Sequence, residues 1–172
     1  LQIVTSPARS IFNGDTVLVK GKVEKGYLLF SPLLAKSYAT STGKIYLTEL
    51  NGKIVHIWET KYSTLYSMVT PQGELYTSQV TPSDLAVAPG GGKTGLLQKL
   101  NIHGDVIWEF RDEMLHHDFD VDLDSDTVYA IKFTPVRKSF SDRIKGGNAT
   151  KSENYWSDTI IQIDKFSNIV WS

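Results

Sequence analysis

Two adjacent histidines followed by an aspartate, His116-His117-Asp118, are the side chains best suited to chemistry in this sequence. Imidazole changes charge near neutral pH, and a neighbouring carboxylate can fix its tautomer and raise its basicity. Successive residues of a strand point to opposite faces, so we expect the two rings to diverge, with His116 the more exposed and one of the pair structural. The sequence makes His116 and His117 candidate catalytic residues.

A glycine-rich segment lies upstream of this pair, where residues 90–92 are all glycine and Lys93 and Thr94 follow. A phosphate-binding loop needs another glycine five residues before the last of these, and Val87 stands there. No apolar helix pattern follows either. We interpret the segment as a flexible loop and expect no nucleotide cofactor.

Aspartates occupy every second position from Asp118 to Asp126, a spacing that invites comparison with a calcium loop. Counted from Asp120, the sixth and twelfth positions of such a loop require Gly and Glu, but Ser125 and Ile131 stand there. Strand alternation explains the spacing better, with the apolar residues between the aspartates facing a core. We expect no metal.

Three segments of the chain resemble one another, and they end in Trp58, Trp108 and Trp171. Each combines an alternating apolar strand, a short polar turn and a second strand, which is the pattern of a β-hairpin. Another pair of strands is predicted ahead of the second and third hairpins, around turns at 71–73 and 124–126. Four strands per unit is the number in a propeller blade, and the repeated tryptophans are expected to be packing anchors.

The predicted fold is therefore all-β and β-propeller-like, with about three four-stranded blades of an incomplete ring in residues 26–172. Residues 1–25 are assigned to an N-terminal extension or edge strands. Polar insertions interrupt the repeat at 81–94 and 134–158, and Tyr155 and Trp156 in the second are candidates for ligand binding. An open ring leaves an exposed blade edge, through which self-association is possible.

Composition restricts the partners of the protein. The formal net charge is −1, so no basic field is present to hold nucleic acid or an anionic membrane surface. The chain contains no Cys, which excludes thiolate chemistry, and no apolar run is long enough for a membrane span. The first residue is Leu1, which we interpret as a processed or truncated start.

The ordered set of segments 26–32, 45–58, 104–110, 116–118, 155–164 and 169–171 resembles the arylsulfotransferase (aryl-sulfate sulfotransferase) family. The resemblance covers about residues 26–172. It implies a six-bladed propeller, located in the periplasm or outside the cell, that moves a sulfuryl group from a phenolic sulfate ester to a phenol acceptor. A histidine takes the group transiently, while other His and Arg residues of the central channel stabilise the sulfate oxygens.

Carried onto this sequence, the resemblance implies His116 and His117 as channel residues and leaves the nucleophile open. Two departures accompany it: Asp124-Ser125-Asp126 replaces the Asn-Gly-Asn type of turn common in the family, and the further channel His and Arg are expected beyond the third blade. The alternative function is a non-catalytic propeller module that binds a ligand or protein partner through its loops, since fold does not determine function.

Overall fold

A computed structural model describes residues 25–32, 41–82, 92–143 and 155–172. Within these ranges the chain is all-β, with three antiparallel sheets and one short helix. Sheet 1 contains β1 (Tyr27–Phe30), β2 (Gly43–Glu49) and β3 (Ile54–Thr60). Sheet 2 contains β4 (Thr64–Val69), β5 (Leu75–Val80), β6 (Gly95–Leu100) and β7 (Val106–Arg111). Sheet 3 contains β8 (Leu115–Asp122), β9 (Thr127–Pro135), β10 (Trp156–Ile163) and β11 (Ile169–Trp171), and helix α1 (Lys138–Ser141) lies between β9 and β10.

The strands of each sheet follow one another in chain order, so every sheet is an antiparallel meander. Sheets 2 and 3 have the four strands predicted for each unit, whereas the described part of sheet 1 has three. The N-terminal extension predicted for residues 1–25 lies outside the described residues apart from its last position.

The three Trp-ended hairpins predicted from the repeat are confirmed as β2–β3, β6–β7 and β10–β11. Their turns share one geometry, in which a residue with positive φ donates its N–H to the carbonyl three positions earlier. These residues are Gly52 (φ 87°), Gly104 (φ 88°) and Ser167 (φ 65°). Glycine adopts this conformation without steric cost, which explains the Asn-Gly and His-Gly turns.

Two apolar layers hold the sheets together, because β5 and β6 bury side chains on both of their faces. Between sheets 1 and 2 the layer consists of Ile45, Trp58, Leu75 and Leu100, with Leu29, Leu47 and Val69 packed against them. Between sheets 2 and 3 it consists of Tyr76, Leu97, Phe110, Leu115, Phe119, Val128, Ala130, Ile161 and Ile163. Each fully buried aliphatic or aromatic side chain contributes about 1.5–3 kcal/mol relative to exposure.

The three repeated tryptophans differ in how far they are covered. Trp58 is 1% exposed, and its indole N–H donates to the carbonyl of Asn101 in the β6–β7 turn at 3.0 Å. Trp108 is partly buried against the layer between sheets 2 and 3. Trp171 is 56% exposed. The prediction of a packing anchor is therefore confirmed for the first two and wrong for Trp171, because no sheet among the described residues covers it.

Candidate functional site

The candidate site lies at the start of β8, the edge strand of sheet 3 that precedes all others of that sheet in the chain. The alternating aspartates predict a strand in which the apolar residues between them, from Phe119 to Leu123, face a core; this is wrong for Leu123, which is 48% exposed. The observed strand runs instead from Leu115 to Asp122, so both histidines belong to it, and Leu123 lies exposed just beyond its end.

A β-bulge interrupts β8 at the histidines. His116 pairs with Ile131 and Phe119 pairs with Ala130, which are neighbours on β9. His117 and Asp118, which lie between the paired residues of β8, therefore have no paired residue on β9. Within the bulge, His117 adopts φ 53°, a left-handed conformation that is uncommon for a residue with a side chain. The alternation assumed from the sequence therefore fails at this point.

The bulge reverses the expected exposure of the two rings. His116, expected to be the more exposed, is 5% exposed and buried, whereas His117 is exposed. That expectation is wrong because it assumed regular strand alternation through His117, whose backbone leaves the extended conformation. In the observed arrangement His116 packs inside and His117 meets solvent, and the structural role of one of the pair stays a prediction.

His116 is held by contacts from β9 and β10. Its ring stacks on Phe133 with centroids 3.8 Å apart and an angle of 24° between the planes. Its Nε2 lies 3.3 Å from Oδ1 of Asp158, without the alignment of a hydrogen bond. Phe133 and Asp158 are directly paired across β9 and β10, which explains why both reach one ring.

Burial lowers the pKa of His116, and the nearby Asp158 carboxylate opposes this effect only in part. Removing an imidazolium from water is costly, so a buried ring is held in its neutral form unless a partner compensates. His116 is therefore a neutral imidazole at neutral pH, which has one N–H and one lone pair to distribute between its two nitrogens.

His117 is positioned by His116 and by Gly92. The Nδ1 atoms of the two imidazoles are 2.8 Å apart, with the rings perpendicular. The backbone N–H of His117 donates to the carbonyl of Gly92 at 2.6 Å. A Cβ atom placed on Gly92 would lie 2.3 Å from Nε2 of His117, so only glycine leaves room for the ring.

Residues 92–94 thus support β8 at this end. Lys93 forms an isolated bridge with His116, and Thr94 N–H donates to the carbonyl of Leu115 at 2.9 Å. This part of the glycine-rich segment is packed against the strand rather than extended into solvent. The interpretation of the remainder as a flexible loop concerns residues 83–91, which lie outside the described residues.

The two aromatic residues predicted to bind substrate lie near Asp158. Trp156 is the first residue of β10, where it pairs with Pro135, so it belongs to the sheet rather than to an insertion. It is partly buried and lies two positions before Asp158, hence on the same face of the strand. Tyr155 is exposed, and its carbonyl accepts a hydrogen bond from Val136 N–H. Their binding role stays a prediction.

Sequence reasoning missed Asp158, Phe133 and Gly92. Gly92 was visible as part of a glycine run, but nothing local showed that it supports a histidine. Asp158 and Phe133 come from two other strands, and their approach to His116 depends on the register between β9 and β10. Among the described residues no group of three or more His, Asp and Glu side chains is arranged to hold a metal ion.

A polar pocket of about 370 Å³ adjoins the segment that supports the histidines. Its walls include Gly95, Arg111 and Asp112, and Asp112 N–H donates to the carbonyl of Gly95. Arg111 is paired with Glu109 at 2.6 Å, a contact that lowers the pKa of Glu109 and raises that of Arg111. The cation is thus already engaged by a carboxylate.

Comparison with known proteins adds no assignment to this geometry. The chain matches no protein-family model, no curated protein and no solved structure. Among the described residues, no helix has the length and apolar character that crossing a membrane requires.

Proposed function

We propose that this protein is an arylsulfotransferase-like enzyme that transfers a sulfuryl group from a phenolic sulfate ester to a phenol acceptor through a histidine. The observation that carries the proposal is the exposed imidazole of His117, held by a second, buried imidazole at 2.8 Å. A neutral imidazole is a competent nucleophile, and a positioned neighbour that takes its proton makes it a better one. The resemblance of the surrounding segments to that family supplies the reaction class.

The proposed setting is a β-propeller located in the periplasm or outside the cell. Three successive antiparallel meanders, stacked through apolar layers, support this architecture. The first strands β4 and β8 of sheets 2 and 3 lie next to each other, as strands lining a central channel do. In such a ring, the start of β8 would present His117 to the channel.

The remaining candidate residues have roles that follow from their chemistry. Trp156 and Tyr155 present aromatic surface near the carboxylate of Asp158, and such surface suits the rings of a phenolic sulfate and a phenol acceptor. The sulfate oxygens require cationic or N–H donors, which the family resemblance places on other channel residues.

The test is turnover of a chromogenic phenyl sulfate with a phenol as acceptor. His117→Ala is expected to abolish transfer while the protein stays folded, because an exposed side chain contributes little to stability. His103→Ala is the matched control, since that histidine lies in the exposed β6–β7 turn. Full transfer activity in a His116→Ala/His117→Ala double variant of the complete protein would overturn the proposal, as would a lack of turnover by the complete protein itself.

A second candidate function is a non-catalytic module that binds a partner through its loops. The observation that favours it is aromatic surface outside the strands, where Phe140 of helix α1 is 61% exposed and Phe166 of the β10–β11 turn is 73% exposed. Exposed large apolar side chains commonly mark interaction sites when they cluster. Absence of turnover, together with binding lost in a Phe166→Ser variant, is the result that would favour this reading over the enzyme.

A further inference from the structure

The contact between the two imidazoles contains one proton. Two ring nitrogens 2.8 Å apart form a hydrogen bond only when one carries hydrogen and the other a lone pair. Two arrangements satisfy this condition. In one, His116 donates and His117 accepts, so a neutral His117 carries its hydrogen on Nε2. In the other, His117 donates from Nδ1, and its Nε2 keeps a lone pair.

Asp158 distinguishes between these arrangements. Its Oδ1 lies 3.3 Å from Nε2 of His116, which is buried and has no hydrogen-bond partner among the described residues. A lone pair on that nitrogen would lie 3.3 Å from a negatively charged oxygen, which is repulsive, whereas the partial positive charge of an N–H there is attracted to it. The carboxylate therefore favours hydrogen on Nε2 of His116, which leaves the lone pair on Nδ1.

We infer that Asp158 and His116 act as positioning residues that hold His117 in the Nδ1–H tautomer, so that Nε2 of His117 is the reactive nitrogen of the site. The order of groups is carboxylate, buried imidazole, exposed imidazole. The middle ring stacks on Phe133, and the outer ring lies against Gly92. This inference rests on the proposed function for its reaction, but the tautomer itself is independent of it.

The arrangement accounts for each proton and electron pair of a transfer step. The Nε2 lone pair of His117 forms a bond to the sulfur of the donor ester, while the bond from sulfur to the phenolic oxygen breaks and the phenolate leaves with that electron pair. The Nδ1 proton of His117 passes to Nδ1 of His116, whose positive charge then lies beside Asp158. Attack by the acceptor phenol on sulfur breaks the N–S bond, and the proton returns to His117. The phenolate released from the donor takes a proton from solvent, and the acceptor phenol releases its hydroxyl proton to solvent.

The direct test is the tautomer of each histidine, read from long-range ¹H–¹⁵N correlations in histidine-labelled protein at neutral pH. The expected pattern is hydrogen on Nδ1 of His117 and on Nε2 of His116. Asp158→Ala is expected to shift His117 toward hydrogen on Nε2, and Asp158→Asn, which keeps the size of the side chain, to do so as well. Asp118→Ala removes a nearby carboxylate from the exposed side of β8 and is expected to change neither ring. Hydrogen on Nε2 of His117 in the parent protein would overturn the inference.

Reactivity toward diethyl pyrocarbonate gives a second readout that needs no sulfuryl transfer. Nε2 of His117 is expected to be acylated faster than the exposed ring of His103, and Asp158→Ala is expected to slow that reaction, because the lone pair of His117 then moves from Nε2 to Nδ1. An unchanged rate in Asp158→Ala would remove Asp158 from the site. If both readouts hold and phenyl sulfate is not turned over, the proposed function fails while the positioning of His117 stands.

Discussion

Strand β8 has a polar cluster at each end, and the two clusters differ in how completely their atoms are paired. Beyond its far end, in the turn that leads to β9, Oδ1 of Asp126 accepts hydrogen bonds from the Tyr76 hydroxyl at 2.6 Å and from Lys99 at 3.0 Å, and Lys99 also contacts Glu74 at 2.9 Å. At its start, Nε2 of His116 is buried and has no hydrogen bond to any residue that the structure describes. A polar network in which every group has a hydrogen-bond partner stabilises a fold. A buried polar atom without a partner is destabilising, so its presence needs a reason other than stability.

The backbone shows a related difference. Asp126 and His117 both have φ 53°, a conformation that costs about 1–3 kcal/mol for a residue other than glycine. Asp126 offsets that cost through contacts that join sheet 3 to sheet 2. His117 makes its contacts within its own strand and with Gly92. We therefore interpret its strained backbone conformation as a means of orienting its imidazole ring. We interpret the far end as structural and the start as the functional end of β8.

The largest effect on stability is expected from Lys99→Met. Lys99 is mostly buried between two carboxylates and over the Tyr76 ring, and hydrogen bonds to Glu74 and Asp126 raise its pKa although burial acts to lower it. Its removal leaves both carboxylates without a cationic partner, although Asp126 keeps the hydrogen bond from Tyr76. We expect this to cost about 2–3 kcal/mol in the free energy of unfolding, measured with urea.

Lys44→Met is the matched control for this change. Lys44 pairs with Glu59 at 2.8 Å, but both side chains are exposed. Such surface pairs contribute about 0–1 kcal/mol, so the control should differ little from the parent. Equal losses in the two variants would show that the far end of β8 is no more structural than an ordinary surface pair.

A smaller loss of stability, with a larger effect on the site, is expected from Gly92→Ala. Gly92 has φ 91° and Gly104 has φ 88°, so alanine costs about 1–2 kcal/mol of backbone strain at either position. A Cβ at Gly104 has open space, whereas one at Gly92 would meet the His117 ring.

Both variants should therefore lose stability by urea denaturation, but only Gly92→Ala should displace His117 and change its ¹⁵N chemical shifts and its acylation rate. If Gly104→Ala disturbs His117 equally, the effect is general destabilisation rather than loss of the space that the ring occupies.

The hairpins were predictable from the sequence because they depend on local features. Alternating apolar residues and turns at Asn51-Gly52 and His103-Gly104 determine pairing between neighbouring strands, and the structure has them in those places. The exposed aspartates Asp120 and Asp122 also follow from alternation. Asp126, interpreted in the same way, reaches instead to Tyr76 and Lys99 of another sheet.

The site was only partly predictable, for a physical reason. The residue types identified His116 and His117 as candidates. The directions of their side chains, however, depend on a β-bulge, and whether a bulge forms depends on the neighbouring segments with which the strand pairs. Residues 92–94 pair with the start of β8, and Asp158 arrives from β10. Neither contact leaves a periodic trace in the sequence, so alternation gave the wrong exposure for both rings.

The smallest expected effects are on the pH dependence of stability, and the two ends of β8 should contribute in different pH ranges. The pKa of His116 is lowered by burial, so its neutral form contributes stability that is present above the ordinary histidine pKa of about 6.5 and is lost as pH falls through the lower folded value. The hydrogen bond from Tyr76 lowers the pKa of Asp126, so that contribution is present above about 3.9 and is lost as pH falls further. The Asp126 side chain is 48% exposed, and solvent screening keeps its contribution to the free energy of unfolding below the loss expected for Lys99→Met.

The measurement is the free energy of unfolding in urea, plotted against pH across this range. The plot for His116→Gln should have a flatter slope than that of the parent near pH 6, and the plot for Asp126→Asn should be flatter only near pH 4 and below. A change of slope in the same pH window for both variants would mean that the two ends of β8 titrate as one unit, and the division into a structural and a functional end would be wrong.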